Sequence, residues 1–190
     1  GSYIEPQTGL YKEKLPITSV TPTKEGYTFA GWYTNKELTG SPVTGSIELT
    51  GDQRLYAKWE PTIVPYTVVY FKEVYDTSTR TIKYVYQTTA PKSGTVGTTV
   101  QASTADSIAS SLPYHQTDTE KNANSSVVIK PDGSSVLNVY YKLKRYTLQF
   151  NLGSTNTSAD SRLRLVMNGQ TYTTSSGTYY KIEDVVLGQY

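Results

Sequence analysis

The chain has 190 residues, a formal net charge of +2 and no cysteine, and its Lys and Arg residues are spread along its whole length. No basic stripe indicates a nucleic-acid partner, and disulfides, thiolate catalysis and Cys-ligated metals are excluded. No apolar run approaches the roughly 20 residues of a membrane-spanning helix, so we expect no direct membrane insertion. With 18 Tyr against 3 Phe and 2 Trp, the composition favours half-buried β-sheet.

Both tryptophans lie in the first third of the chain. Gly31 is expected to let the backbone turn closely before Trp32, and Trp32 and Trp59 are expected to meet across a sheet as buried mass. A stacking platform for sugar is the alternative interpretation of the same two rings. Core packing is favoured, because it needs no ligand.

The middle of the chain predicts strands and one helix. Tyr66–Tyr75 carries apolar residues on both faces and predicts a central strand, with Ile82–Tyr86 as its hairpin partner. Thr104–Leu112 predicts the one short helix, capped by Thr104. Asp132-Gly133 predicts a turn that pairs 127–129 with the alternating strand 137–143.

The last part of the chain predicts further strands. Residues 146–152 alternate strictly between apolar and polar side chains, which is typical of a half-buried strand. Asn168-Gly169 predicts a hairpin turn between 163–167 and 171–173.

An internal echo divides the chain. Residues 55–59 followed by 66–70 recur as 137–141 followed by 146–150, each time as a closing strand, a short connection and an opening Tyr-Thr strand. We therefore predict three tandem modules at 1–60, 66–143 and 146–190, the last of them incomplete, in a fragment of a longer protein. The short connections, one of them with two prolines, predict stiff joints.

The first module resembles a known repeat family. Its blocks Lys24–Thr34 (KEGYTFAGWYT) and Leu55–Trp59 (LYAKW) are similar to those of the Listeria–Bacteroides repeat, also called the internalin B-repeat family. The resemblance covers roughly residues 3–60. It implies a small β-grasp-like sheet and a place in a bacterial surface protein.

The second module resembles the mucin-binding-protein-type surface repeats. The residues that carry this resemblance are Tyr66–Tyr70, Gly94–Gly97 and the closing strand Val136–Tyr141. The sequence as a whole thus predicts a mainly β (α+β) chain of tandem β-grasp-like modules with one short helix in the middle module.

Catalytic patterns are weak. His115 follows Pro113-Tyr114 and is expected in a surface loop, without a second histidine for a metal site. Asp118 and Glu120 are expected to share a strand face, and Glu183-Asp184 are adjacent, but no enclosing fold is predicted around either pair. We expect no enzyme activity, no cofactor and no metal.

Two kinds of site remain as hypotheses. An intramolecular Lys–Asn isopeptide bond is one, with Lys72 or Lys83 joined to Asn138 and assisted by Glu73. A ligand-facing aromatic surface at Tyr84 and Tyr86 is the other. Exposed polar residues and the outer skin of a thin sheet explain the same residues without function.

The expected function is that of a non-catalytic repeat segment of an adhesin-like protein at the bacterial cell surface or cell wall. It would act as a stiff spacer or a weak binder, with host glycan, mucin or extracellular protein as partners beside neighbouring repeats. The alternative is an accessory carbohydrate-binding portion of a secreted hydrolase.

Overall fold

The computed structural model describes residues 1–17, 19–151, 165–167, 170–172 and 179–186. The described chain is mainly β with one short α-helix, which confirms the predicted fold class. The β-grasp-like character of the individual modules stays a prediction. The strands, in chain order, are β1 Lys14–Pro16, β2 Tyr27–Tyr33, β3 Ser46–Glu48, β4 Tyr56–Pro61, β5 Ile63–Asp76, β6 Thr81–Thr95, β7 Thr99–Gln101, β8 His115–Thr117, β9 Ser126–Val128, β10 Val136–Leu143, β11 Tyr146–Asn151, β12 Leu165–Met167, β13 Gln170–Tyr172 and β14 Tyr179–Val185.

The strands form one larger sheet and several pairs. The larger sheet has four strands in the order β6-β5-β10-β8, and the two-stranded sheets are β1-β3, β2-β4, β7-β9, β11-β14 and β12-β13. The single α-helix of the described residues, α1, spans Thr119–Ala123, and 3₁₀ turns occupy Ala102–Thr104 and Ala109–Ser111. No helix in the described part of the chain is long and apolar enough to cross a membrane.

The chain forms two compact units. One comprises residues 1–68, 89–104 and 125–137, and the other comprises 69–88, 105–124 and 138–190. The predicted limits at 1–60, 66–143 and 146–190 follow the linear chain, and they stay a prediction.

Residues 1–61 are built around the antiparallel pair β2-β4. The register shifts between Phe29 and Gly31, where Gly31 has a φ of +125° and a Cβ would lie 2.9 Å from Pro42 Cβ. Glycine is required at this bulge because both the left-handed backbone and the close approach exclude a side chain. Both tryptophan rings are half-buried and contact Phe29 edge to face, Trp32 at 5.2 Å and Trp59 at 5.6 Å between centroids.

The four-stranded sheet has a more deeply buried core. Along β10 the burial alternates strictly, with Leu137, Val139, Tyr141 and Leu143 buried and the residues between them half-buried or exposed. Tyr70 of β5 is 1% exposed and its ring lies 6.4 Å from that of Tyr141. The alternation predicted for 137–143 and the β5-β6 hairpin are both confirmed.

The predicted position of the helix is wrong. Residues 104–112 contain the last residue of one 3₁₀ turn, irregular chain and a second 3₁₀ turn at Ala109–Ser111, and the α-helix lies at Thr119–Ala123. Side chains of the sheet take the backbone groups that a helix would use: the Tyr70 hydroxyl donates to Asp106 O at 3.2 Å, and Ile108 N donates to the Tyr141 hydroxyl at 2.9 Å. These long-range bonds compete with the local helical pattern.

The strand partner predicted for 127–129 is also wrong. β9 pairs antiparallel with β7, Val127 facing Val100, while β10 lies between β5 and β8. The turn itself is present, with Gly133 at a φ of +73° and its N donating to Lys130 O. The turn thus connects strands of different sheets, which a local sequence signal does not reveal.

Downstream of Leu143 the structure describes two strand pairs. β11 pairs antiparallel with β14 and β12 with β13, Val166 facing Thr171. Leu152, residues 163–164 of the predicted strand, the turn residues 168–169 and residue 173 lie outside the described residues.

Candidate functional site

One residue separates the first module from the long strand that follows it. Thr62 lies between β4 and β5, donates its N–H to Gly26 O at 2.9 Å and accepts from Val96 N at 3.0 Å. Both backbone groups of the connecting residue are therefore bonded, one toward the β1–β2 region and one toward the end of β6. A connection held in this way has little freedom to bend.

The same place is closed by a tight contact. Gly26 has a φ of +72°, and a Cβ at this position would lie 2.5 Å from Pro131 Cβ and 3.0 Å from Val96 Cγ2. Only glycine fits, both for its backbone conformation and for the space beside Pro131. We call Gly26, Thr62, Val96 and Pro131 the Thr62 joint, and all four belong to the first compact unit.

A second polar cluster lies in the other unit, where β10 ends. The carboxylate of Glu73, a residue 8% exposed, accepts from Leu143 N at 2.9 Å and from Arg145 Nη2 at 3.0 Å through the same Oε2 atom. Arg145 Nη1 also donates to Leu143 O at 3.0 Å. We call Glu73, Leu143 and Arg145 the Glu73 latch. Hydrogen bonds donated to a buried, charged carboxylate are among the stronger polar contacts in proteins.

His115 lies at the same end of the sheet. The sequence predicted a surface loop, but His115 is half-buried on β8 and its Nε2 lies 2.8 Å from Glu73 O. Its Nδ1 is buried and finds no hydrogen-bond partner within the described residues. The prediction of a loop is wrong because the residues after Pro113 pair with β10, His115 facing Leu143.

Tyr84 and Asp118 form a short hydrogen bond in the same unit. Burial is the main cause that raises the pKa of Tyr84, and the bond to Asp118 adds to it. Burial alone would raise the pKa of Asp118, but the hydrogen bonds from Tyr84 and from Lys121 N hold it below its usual value. Asp118 also caps α1, whose first turn contains Glu120. The prediction that the two residues share a strand face is therefore wrong.

The ring of Tyr140 connects these groups. It stacks on Phe71 at 5.3 Å, meets Tyr84 edge to face at 5.1 Å, and lies 4.7 Å from Lys121 Nζ. The backbone of Tyr140 is paired by the fully buried Asn122, whose amide both donates to Tyr140 O and accepts from Tyr140 N. Tyr84 is therefore half-buried and packed against this cluster, whereas Tyr86 is 60% exposed, and their role as ligand-facing aromatics stays a prediction.

Two of the residues proposed for an isopeptide bond, Lys83 and Glu73, bind other partners in the structure. Lys83 Nζ pairs with Asp76 Oδ2 at 2.7 Å, where the carboxylate also caps the β5–β6 turn, and Glu73 forms the latch. Lys72 and Asn138 are both half-buried. The bond stays a prediction, which an intact mass lower by one ammonia tests.

Acidic groups capable of catalysis are sparse. Within the described ranges no three His, Cys, Asp or Glu side chains lie close enough together to hold a metal ion. Glu183 and Asp184 are both exposed. An apolar depression in the first module has a volume of about 300 Å³ and is lined mainly by aliphatic side chains, including Leu15, Ile17, Ile47 and Leu55, with Trp32. Such a lining offers packing space and no acid–base pair.

The joint and the latch were missed or misassigned from sequence. The sequence singles out Glu73 for an isopeptide bond, and no local signal pairs it with Arg145. A local signal existed for Gly26, which follows Lys24-Glu25 at a turn. No local signal reveals that Pro131, far along the chain, lies against it.

Comparison with known proteins supports the family resemblance of the first module. Residues 1–58 match the model of the Listeria-Bacteroides repeat domain, a repeat found in bacterial surface proteins. No curated protein and no solved structure matches the chain. The resemblance of residues 66–143 to mucin-binding repeats is without support from these comparisons and stays a prediction.

Proposed function

We propose that this chain is a non-catalytic repeat segment of a bacterial cell-surface protein, and that it serves as a stiff spacer. The observation that carries the proposal is the Thr62 joint. A single residue with both backbone groups bonded, beside a glycine that fits tightly against Pro131, leaves no hinge between β4 and β5. The match of residues 1–58 to a surface-protein repeat supports the extracellular location.

Stiffness is tested by a distance distribution across the joint. The chain has no cysteine, so Glu37→Cys and Gln101→Cys, both at exposed positions of the first compact unit, accept spin labels without further changes. Pulsed electron paramagnetic resonance is expected to give one narrow distribution of the distance between the two labels. A broad or multiple distribution in the otherwise unchanged chain would remove the basis for the spacer.

A matched glycine pair isolates the joint from general backbone strain. Gly26→Ala and Gly45→Ala both place a side chain at a φ near +70°, but nothing lies within 4 Å of a Cβ at Gly45. Both therefore incur about 1 kcal/mol of strain, and only Gly26→Ala meets Pro131. We expect Gly26→Ala to broaden the distance distribution and Gly45→Ala to leave it narrow. Equal behaviour of the two variants would show that the Pro131 contact does not fix the joint.

Weak binding is a second role that we propose beside spacing. The observation in its favour is Tyr86, a large aromatic side chain 60% exposed on β6. Saturable binding of the chain to mucin, matrix protein or a glycan array, lost in Tyr86→Ala, would support recognition of a host ligand in an adhesin-like protein. Absence of binding by the folded chain would leave spacing alone.

A further inference from the structure

The two central strands of the larger sheet run in the same direction. Within the first compact unit Thr67 N donates to Ser135 O at 3.0 Å, just before β10 begins. Within the second, Phe71 stacks on Tyr140 and Glu73 bonds to Leu143 N. The partner's number rises as the residue number on β5 rises, which holds only for parallel strands.

These strands are also the first and last of the sheet in chain order. The chain comes from β4 through Thr62 into the beginning of β5, and it leaves from the end of β10 through residues 144–145 into β11. Tension applied along the chain therefore pulls β5 from one end of the sheet and β10 from the other. In this geometry the hydrogen bonds between parallel strands are strained together and are not opened one after another.

The end of β10 and the residue after it, Lys144, are held by several hydrogen bonds. Beside the Glu73 latch, Lys144 N donates to Tyr114 O at 2.8 Å and Lys144 Nζ donates to Pro113 O at 2.9 Å. A pull from β11 reaches these bonds before any other contact of β10. Glu73 is the only one of these acceptors that lies on β5, so it transmits the pull directly to the neighbouring strand.

We propose that β5 and β10 form a force-bearing pair strained in shear, with the Glu73 latch closing its downstream end. The mechanical property stands on the geometry alone, and its use in tethering rests on the proposed function of a surface spacer. The kind of stress that it resists is tension along the chain, such as a surface protein experiences when a distal region is held.

Force spectroscopy with two pulling directions tests the shear geometry. Thiol handles at Ile63→Cys and Tyr146→Cys pull the strands from opposite ends, whereas handles at Thr77→Cys and Tyr146→Cys pull both from the same end; all three side chains are exposed. The first pair is expected to need several-fold more force at the same loading rate. Equal forces in the two directions would overturn the proposal.

A matched pair of carboxylate variants tests the latch. Glu73→Gln keeps the size of the side chain but removes the charge that holds Leu143 N and Arg145. We expect forced unfolding in the first direction to become about tenfold faster. Asp76→Asn removes a carboxylate on the last residue of β5 that pairs with Lys83 of β6 and caps the β5–β6 turn, and it is expected to leave that rate unchanged. Equal acceleration in both variants, or none in Glu73→Gln, would remove the latch from the proposal.

Failure of this proposal differs from failure of the spacer. Equal forces with a narrow distance distribution across the Thr62 joint leave a stiff spacer without a shear-resistant sheet. A strong difference in force with a broad distribution leaves a resistant sheet on a flexible chain.

Discussion

Residues 1–61 and the four-stranded sheet use aromatic side chains in opposite ways. In the first region Phe29 contacts Trp32 and Trp59 edge to face, all three rings stay half-buried, and Trp32 also lines an apolar depression of about 300 Å³. In the sheet, Tyr70 and Tyr141 are each only 1% exposed, and their hydroxyls hold the segment 106–108. In the first region the aromatic rings stay partly exposed, whereas in the sheet they form part of the buried core.

The difference shows what tyrosine contributes to a thin β protein. A buried tyrosine supplies apolar area and also a hydroxyl that ties irregular chain to the sheet. This combination suits a chain with 18 tyrosines against 3 phenylalanines and 2 tryptophans. It also makes the sheet more sensitive to substitution than the first region, and each prediction below probes that contrast.

The largest expected effect is that of Tyr141→Ala. It removes a buried ring and the acceptor of Ile108 N, so we expect the free energy of unfolding to fall by about 3–5 kcal/mol. The free energy of unfolding is measured by urea denaturation, and amide hydrogen exchange is then measured in β5 and β10. Tyr11→Ala, at a residue 74% exposed, is the control and is expected to change the free energy by less than about 0.5 kcal/mol. A cost near that of the control would break the comparison.

Enlarging one side chain in each region gives effects of opposite sign. Val139→Phe overfills the sheet core and should cost about 1–3 kcal/mol. Ile47→Phe extends into the apolar depression and should be neutral or stabilise by up to about 1 kcal/mol. Because both tryptophans lie in residues 1–61, their fluorescence during denaturation reports the second variant. Destabilisation of similar size in both would show that the depression is not usable space.

Removing one hydroxyl should have a moderate effect. Tyr84→Phe removes the hydroxyl that donates to Oδ2 of the buried Asp118, so we expect a loss of about 1–2 kcal/mol in the free energy of unfolding, measured by thermal or urea denaturation at neutral pH. Tyr86→Phe removes a hydroxyl from an exposed ring on the same strand, and should be neutral. The idea fails where both variants cost the same.

The smallest expected effect is a pH dependence from Tyr84. Because burial raises its pKa in the folded chain, the neutral hydroxyl is favoured there. Its contribution to stability is complete below about pH 10, the ordinary pKa of tyrosine, and is lost as the pH rises beyond it. Between pH 9 and 12, roughly the range around that value, Tyr84→Phe should lose less stability than Tyr86→Phe. Parallel curves for the two variants would assign the alkaline loss to other tyrosines.

Local periodicity predicted the positions of the strands better than it predicted which strands pair with each other. The alternation in β10 and the hairpin of β5 and β6 follow from residues close in sequence, and both were found. The pairing of β9 with β7 was missed because it depends on strands brought together from afar. The helix predicted at 104–112 failed because two distant tyrosine hydroxyls bind its backbone.

The candidate sites show the same limit. Glu73 was recognised as a notable carboxylate, but its partners, Leu143 and Arg145, are some seventy positions away. The sequence contains each residue of the latch but gives no measure of their distance. Similarly, the family match of residues 1–58 identifies a repeat without indicating how Gly26 meets Pro131.

The single residue between β4 and β5 sets a strict limit on chain length. An inserted or deleted residue beside Thr62 would move its N–H away from Gly26 O or its carbonyl away from Val96 N, because β4 and β5 hold the chain in register on either side. Insertions and deletions, which surface loops usually accept, are therefore expected to be costly at this position, and chains that keep this joint are expected to keep one residue between the two strands.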